Sequence, residues 1–369
     1  MVAMKPLVSI LIPAFNAEGT IAATIQSAIS QSWHPKEIIV VDDGSTDKTA
    51  EVARSFGSRV RFVSCSNQGA SAARNKAFSL CSGDYIQWLD ADDVLQLDKI
   101  ERQLALLSPG DSRRILLSSP WASFFYRTRN AQFVRNSLWE DLTPVEWLLR
   151  KMNENLHMQT GTWLTSRELA EAAGPWDSRL LSDDDGEYFC RVLLASEGTR
   201  FTSESGVLYR FSPASRLSFI GGSNSKKDAM LLSLKLHIKY IRSLEDSVRV
   251  RKACVQYLQN WYITFFPERA DIMLEMSRLA EELGGYLEEP QLRWKFAWMK
   301  PMFGWRAAKR AQFELPHVKA SLLRAIDRAL YRLETNRKGL PDCTLLDPHE
   351  KILENQSIST SLPVRQIQK

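Results

Sequence analysis

Asp90, Asp92 and Asp93 crowd three carboxylates into four residues directly after the apolar run Tyr85-Ile86-Gln87-Trp88-Leu89. Two carboxylates about 5 Å apart repel by roughly 3 kcal/mol at an effective dielectric of ~20, so the cluster makes most sense around a divalent cation. Mg²⁺ or Mn²⁺ suits it, because such ions take one or two carboxylates and complete their shell with water and substrate phosphates. An acidic turn or helix cap is the plain alternative. A second acidic run, Asp183-Asp184-Asp185, precedes a helical stripe of Tyr188, Val192 and Ala195. Read alone it is an acidic first turn of a helix. Clustered acids can also raise the pKa of one member and make it a base near neutral pH.

These side chains need elements to position them. Leu7 to Pro13 reads as a buried strand, followed by the loop Ala14-Phe15-Asn16 and a helix marked by Ile21, Ile25, Ala28 and Ile29. Asn16 and Glu18 suit that helix's N-terminal end. Glu37 to Val41 is a continuous apolar strand of the kind found inside parallel sheets. It runs into Asp42-Asp43-Gly44-Ser45-Thr46-Asp47, a turn able to cap a helix from about Lys48. Val60 to Ser64 reads as a third strand, Ala70 to Leu80 as a helix closed by a turn at Gly83, and Tyr85 to Leu89 as a fourth strand. This alternation predicts βαβ units on a parallel sheet, whose ligands sit at the carboxyl ends of the strands. Three of the four ends carry polar residues: Phe15-Asn16, Asp42-Asp43 and Asp90-Ala91-Asp92. Neither Gly-x-Gly-x-x-Gly after the first strand nor a P-loop motif occurs, which argues against hydride transfer and P-loop phosphotransfer. A nucleotide bound here would need carboxylates and a metal to hold its phosphates.

The 369 residues, 44% hydrophobic and 25% charged, are enough for a folded core in one generous domain with an appendage, or in two. No apolar run approaches the ~18 residues of a membrane span, and the stretch before the first strand is too short for a signal peptide. Cys65, Cys81, Cys190, Cys254 and Cys343 are scattered, without Cys-x-x-Cys spacing. They read as reduced thiols rather than a zinc or disulfide framework, and the expected location is cytoplasmic. The net charge of +5 is uneven, since Gln291 to Lys338 holds 12 Lys or Arg against 3 Asp or Glu. Trp294, Phe296, Trp298, Phe303, Trp305 and Phe313 are interleaved with those charges. The mixture fits an anionic membrane surface, and equally a solvated face or a partner interface. Without a stacking platform or helix-turn-helix pattern, nucleic acid is not an expected partner.

The chain closely resembles the inverting family 2 glycosyltransferases over about Val8 to Ser218. The likeness rests on four motifs in order: Val8 to Asn16, Glu37 to Asp47, Asn67 to Asn75 and Asp90 to Asp93. It implies the GT-A fold of nucleotide-diphospho-sugar transferases, α/β and Rossmann-like, with a mostly parallel central sheet and helices on both faces. By that resemblance Pro13, Ala14 and Phe15 line a base pocket beside Asn16, with Phe15 near the base, where an aromatic face contributes about 1–3 kcal/mol. Asp43 accepts from the base, and Asp42 supports the turn or the ribose. Asn67, Gly69 and Arg74 flank the nucleotide, Arg74 reaching ribose or diphosphate with its fork of donors. Asp90 and Ala91 belong to the nucleotide site, Asp92 is the metal ligand, and Asp93 caps the segment after it. The divalent metal is Mn²⁺ or Mg²⁺, and UDP leads thymine or guanine nucleotides as the donor's carrier.

Inverting transfer needs a carboxylate that takes the acceptor's proton. The family places it about seven residues before an arginine, and counting back from Arg191 reaches Asp184-Asp185. Asp185 is the expected base, although Asp stands where the family commonly has Glu, and Asp183 leaves the register open by one residue. Trp176, in Gly174-Pro175-Trp176-Asp177, either stacks on an acceptor sugar or belongs to the core. Arg210 and Arg216 lie in segments resembling a mobile loop that closes over the donor and neutralises the leaving diphosphate.

Beyond Lys226 the apolar periodicity predicts helices over Asp228 to Ser243, Asp246 to Thr264, Ala270 to Leu283 and Val318 to Leu333. The expected division is a transferase domain over 1–222, with a nucleotide half 1–110 and an acceptor half 111–222. A helical region over 223–335 packs on it or docks on a membrane, and a weakly ordered tail covers 336–369. The expected activity is metal-dependent inverting transfer of a sugar from a nucleotide-diphosphate sugar to a glycan or lipid-linked hydroxyl, in cell-surface polysaccharide or glycoconjugate synthesis. A catalytically silent carbohydrate-binding scaffold of the same fold, or a sugar nucleotidyltransferase, is the alternative. The second would ordinarily carry a glycine-rich basic loop where Pro13-Ala14-Phe15-Asn16 stands.

Overall fold

Residues Val8 to Ala14 can bury every side chain because they run between two parallel neighbours; they form β1 (Val8–Ala14), buried throughout. This computed structural model describes residues 5–211, 220 and 223–338, with side chains as far as 334. Around β1 come α1 (Ile21–Ile29), β2 (Lys36–Asp42), α2 (Thr49–Arg54), β3 (Arg61–Ser64), α3 (Ala70–Leu80) and β4 (Tyr85–Trp88). The middle of the chain supplies β5 (Val94–Leu95), α4 (Lys99–Leu104), β6 (Ile115–Ser118), β7 (Trp121–Phe124), β8 (Gln132–Phe133) and α5 (Pro144–Glu154). Next come β9 (Thr165–Ser166), α6 (Arg167–Ala173), α7 (Asp184–Ala195), β10 (Gly198–Phe201) and β11 (Val207–Arg210). The rest is helical: α8 (Asn224–Leu244), α9 (Val248–Phe265), α10 (Ala270–Glu282), α11 (Trp294–Ala297) and α12 (Met299–Lys338).

The main sheet has the order β3-β2-β1-β4-β9. Its first four strands are parallel, and β9 runs antiparallel to β4. Register decides what shares an edge. Ala14 pairs with Asp42, Asp42 with Ser64, and Leu11 with Trp88, so Phe15, Asp43 and Asp90–Asp92 all leave the sheet at its carboxyl edge. Beside it lie a parallel pair, β6 with β10, and a mixed sheet of order β5-β11-β7-β8. The fold is therefore α/β with a mostly parallel central sheet flanked by helices, as expected, followed by a helical C-terminal region.

One apolar cluster runs from Val8 in β1 to Leu283 after α10, with α8 packed on α7 and α9 on α5. The helix boundaries differ from the periodicity reading for identifiable reasons. Serine hydroxyls, not Asp228 and Asp246, cap α8 and α9: Ser223 accepts from Lys226 N and Ser247 from Val250 N. The last helix extends far upstream of Val318. It carries Pro316 internally and breaks from helical geometry at Gly304, where φ is +79°. Ala308 and Ala320 are fully buried on either side of Pro316, so packing of both halves outweighs the proline's local preference. The expected tail falls from residue 339 outside the described residues.

The entry to β4 depends on a close backbone approach. Glu37 Oε1 accepts from Ser9 Oγ (2.6 Å), Ser82 N (2.6 Å) and Gly83 N (3.1 Å). Burial opposes its charge, but these hydrogen bonds win and hold its pKa below the ordinary value. A Cβ on Gly83 would stand 2.4 Å from Ser9 Oγ and 2.6 Å from Ser9 N. Gly83→Ala should therefore destabilise the protein by about 1–3 kcal/mol; an unchanged denaturant midpoint would contradict this packing.

Candidate active site

The loops after β1 and β2 are laced to each other. Asn16 N donates to Ser45 Oγ (2.9 Å), and Asn16 Oδ1 accepts from Thr46 N (2.9 Å). Glu18 N donates to Asp47 Oδ2 and Glu18 Oε2 accepts from Lys48 N. Asn16 and Glu18 thus brace the neighbouring loop instead of starting α1, whose first turn has no side-chain cap. Of the expected base-pocket trio, Pro13 and Ala14 are closed into β1, and Phe15, 49% exposed, alone presents its side chain. The strand's pleat and its flanking neighbours leave Pro13 and Ala14 no free face.

Asp42 supports the turn, accepting from Ser45 N (3.2 Å) and Ser64 Oγ (2.9 Å). Asp43 is buried and accepts from Gln68 N (2.9 Å) and Gly69 N (2.8 Å). It therefore pins the segment carrying Asn67 and Gly69, both exposed, and a base would have to use its remaining lone pairs. Ala91 holds α1 through its carbonyl, which accepts from Thr24 Oγ1 (3.0 Å).

Arg74 departs from its expected place against ribose or diphosphate. It is buried, and its fork joins two distant acids: Nη1 donates to Asp184 Oδ2 (2.7 Å) and Nη2 to Asp90 Oδ1 (2.8 Å). Its guanidinium also lies 4.3 Å from the Trp176 ring centroid. Burial alone would lower its pKa, but Asp90 and Asp184 overcome that and raise it. Trp176 is likewise no sugar platform: it is 3% exposed, stacked on Tyr188 at 4.1 Å and edge-on to Trp88 at 5.3 Å. Between its two readings, the core one holds.

The three consecutive acids face three ways. Asp183, at φ +56°, turns its carboxylate to Ser233 Oγ and to His237 Nδ1, 3.8 Å away. That fold-back requires Gly186, where a Cβ would stand 2.2 Å from Asp183 Oδ1. Burial lowers the His237 pKa despite Asp183. Asp184 is held by Arg74 and by Ser71 Oγ (3.4 Å). Asp185 accepts from Thr160 Oγ1 (3.4 Å) and Gly186 N (2.9 Å), and has no ion pair among the described residues. Burial, then the charges of Asp184 and Asp183, push its pKa up from 3.8 to about 7. Arg191, which marked the register, ties α7 to the Trp176 loop: it pairs with Glu187 (2.7 Å) and donates to the carbonyls of Ala173 and Pro175. Thr160 sits in a stretch with no motif, and Ser71, though within the Asn67 to Asn75 motif, was given no role there.

On the other flank, buried Asp93 does more than cap: its Oδ1 accepts from Arg210 N (2.8 Å) and so anchors β11. Arg210 Nε donates to Asp92 O (2.9 Å) and Nη1 to Phe125 O (3.0 Å). The Arg210 side chain thus braces the acidic loop, where a donor-closing role was expected. Arg216 lies outside the described residues. Burial, then Asp92 and Asp90, raise the Asp93 pKa well above the carboxylate range, marking a concentration of negative charge that a cation would relieve. No group of three or more His, Cys, Asp and Glu side chains converges among the described residues. Asp92 alone would leave most of the shell of a Mg²⁺ or Mn²⁺ ion to water and substrate phosphate.

Residues 9–171 match the profile described as glycosyl transferase family 2. An uncharacterized glycosyltransferase of Haemophilus influenzae is 44% identical over 103 residues, 27% of this chain and 41% of the relative. The putative teichuronic acid biosynthesis glycosyltransferase TuaG of Bacillus subtilis is 40% identical over 107 residues, 28% of this chain and 42% of that protein. The matched segment spans about two-fifths of each of these curated relatives. Among solved structures, S. aureus TarS 1–349 in complex with UDP superposes with a TM-score of 0.55 over 82% of this chain and 90% of that one. At 17% identity this likeness is one of fold.

The Arg74 bridge and the Asp185 carboxyl can each be tested by substitution. Arg74→Leu leaves Asp90 and Asp184 facing each other without a cation. Because both acids keep some solvent contact, the loss should be about 2–3 kcal/mol, below the cost for a fully buried pair; unchanged unfolding would refute it. The raised Asp185 pKa means that folding favours its protonated form. That stabilisation is full below 3.8 and lost as pH rises through about 7. Asp185→Asn should gain stability over the parent between pH 5 and 8 in urea unfolding, and parallel curves would show that Asp185 does not titrate there.

Proposed function

From the match of residues 9–171 to the glycosyl transferase family 2 profile, we propose that the chain is an inverting glycosyltransferase that moves a sugar from a nucleotide diphosphate, UDP first, to a glycan or lipid-linked hydroxyl. The observation that carries this reading is Asp185. It is an acid without an ion pair among the described residues, with a pKa of about 7, joined through Asp184 and Arg74 to the Asp90 loop. An acid of that strength can take a proton near neutral pH. TarS, solved with UDP, supports uridine as the carrier. TuaG supports a role in cell-surface polysaccharide synthesis.

In this mechanism Phe15 stacks on the base and Asp43 holds the loop that borders it. Asp185 takes the acceptor's hydroxyl proton as that oxygen bonds to the anomeric carbon. The bond from this carbon to the diphosphate breaks on the opposite face, and no covalent intermediate with the protein forms. A divalent cation held at Asp92 would supply charge neutralisation for the departing diphosphate. Arg74 and Thr160 keep the acid run in place, and Asp93 with Arg210 keeps the acidic loop closed on β11.

We take residues 1–222 as the transfer unit and 223–335 as the part that packs on it and meets a membrane surface. No helix among the described residues is long and apolar enough to cross a membrane. A cytoplasmic location, at the face where a lipid-linked acceptor waits, belongs to this proposal.

The test is nucleotide release from a panel of UDP-sugars with Mn²⁺ and candidate acceptors. Asp185→Asn should lower kcat by about 10²–10⁴-fold with a nearly unchanged donor KM, and kcat/KM of the parent should rise with pH to a plateau above about 7. Full transfer by Asp185→Asn would remove the proposed base, and full turnover in excess chelator would remove the metal.

A further inference from the structure

The inward face of α12 is fixed to the body of the protein. Asp327 accepts from Tyr126 N (2.8 Å), Arg127 N (3.1 Å) and Arg127 Nε (2.6 Å). Glu334 pairs with Arg127 (3.2 Å) and with Arg129, and Tyr331 meets Tyr126 at 6.0 Å. At about 100° per residue, a second face carries Leu315, Val318, Leu322, Ile326, Leu330 and Leu333 in one strip. Each is 39–64% exposed. The strip is about 27 Å long at the rise of an α-helix, and it rides on a helix that cannot turn it inward without breaking the Asp327 clamp. The aromatic residues upstream divide: Trp294, Trp298 and Phe303 are exposed, while Trp305 packs edge-on against Phe266.

At the same angular step Lys319 lies within the strip and Arg332 borders it, whereas Arg324 and Arg328 lean over the Tyr126 ring, 5.5 and 5.9 Å from its centroid; neither Lys319 nor Arg332 has an ion pair among the described residues. The acids of the helix are already engaged: Glu314 by Arg310, Asp327 and Glu334 by Arg127. A second copy laid on this strip would bring like charges together, whereas phosphate headgroups would neutralise them. Placement agrees with that choice. The segment clamped by Asp327 continues from Phe125, whose carbonyl holds Arg210 beside Asp92 and Asp93, so a surface touching the strip lies next to the acidic loop.

We propose that the Leu315–Leu333 strip is the membrane-docking face of this protein, set into the acyl boundary of an anionic bilayer with Lys319 and Arg332 against the headgroups. This deepens the membrane part of the proposed function and rests on it for its purpose, since docking would bring a lipid-linked hydroxyl to the acid cleft. The binding itself depends on the helix alone.

The test uses the full chain with vesicles of phosphatidylcholine alone or with about 30% phosphatidylglycerol, sedimented at low and high salt. The parent should bind the anionic vesicles and release them at high salt. Leu322→Glu with Ile326→Glu should lower partitioning at least tenfold. Lys319→Gln with Arg332→Gln should lower it about 25-fold, from roughly fivefold per charge. Circular dichroism and nucleotide release with a soluble acceptor should stay unchanged. Should the strip variant misfold, amide exchange over 313–334 of the parent gives the answer, since docking predicts added protection with anionic vesicles only. Equal binding to both vesicle types, full binding by the strip variant, or protection already complete without lipid would overturn the proposal. So would a strip variant that dissociates an oligomer while keeping vesicle binding. Docking without nucleotide release from any donor would sink the transferase reading alone, and release without docking would sink this one alone.

Discussion

Most of the site depends on one guanidinium. Arg74 projects from α3 and receives Asp90 from the end of β4 and Asp184 from the start of α7, acids ninety-four positions apart in the chain. Without it these partly buried carboxylates would repel at close range, more strongly than in water. With it they become a rigid wall, and Asp185, next in line, has no ion pair among the described residues, although the Arg74 charge still acts on it. Its weak acidity comes from burial and then from the charges of Asp184 and Asp183, which outweigh the opposing pull of Arg74. The aromatic stack of Trp176 and Tyr188 lies beneath the guanidinium and helps to bury it.

The C-terminal helices also take part in shaping the cleft. Asp183 is drawn out of the acid run by Ser233 and His237 of α8, which frees the next two acids to face the sheet edge. Glu187, one turn further on, collects Arg191 and the Tyr240 hydroxyl (2.7 Å). On the opposite flank α12 holds residues 126 and 127 through Asp327, and the adjacent Phe125 carbonyl steadies Arg210. Helices that carry no chemical motif thus brace both sides of the acidic loops.

Much of this was legible from residue order. The continuous apolar runs at Val8 and Glu37 could only be interior parallel strands, and the polar residues after them had to share an edge once the strands were parallel. The short elements from β5 to β9 were not legible, because two-residue strands such as Val94–Leu95 and Thr165–Ser166 leave no periodicity to read. Arg74 was misread for a physical reason: an arginine near a nucleotide motif suits phosphate and carboxylate alike, and its choice depends on acids brought in from 110 residues away. Trp176 stayed open between two readings and Arg210 was misplaced for a like reason, since a side chain's burial is a property of what packs over it.

Composition and motif order settle the α/β class and the carboxyl edge at which the polar loops leave the sheet, because strand burial and βαβ handedness are local consequences of the pattern. They do not settle which of three adjacent aspartates stays weakly acidic. That depends on Ser233, Arg74 and Thr160, partners from three separate elements. A pKa near 7 at Asp185 arises from burial and neighbouring charge, and both exist only when distant segments are packed together.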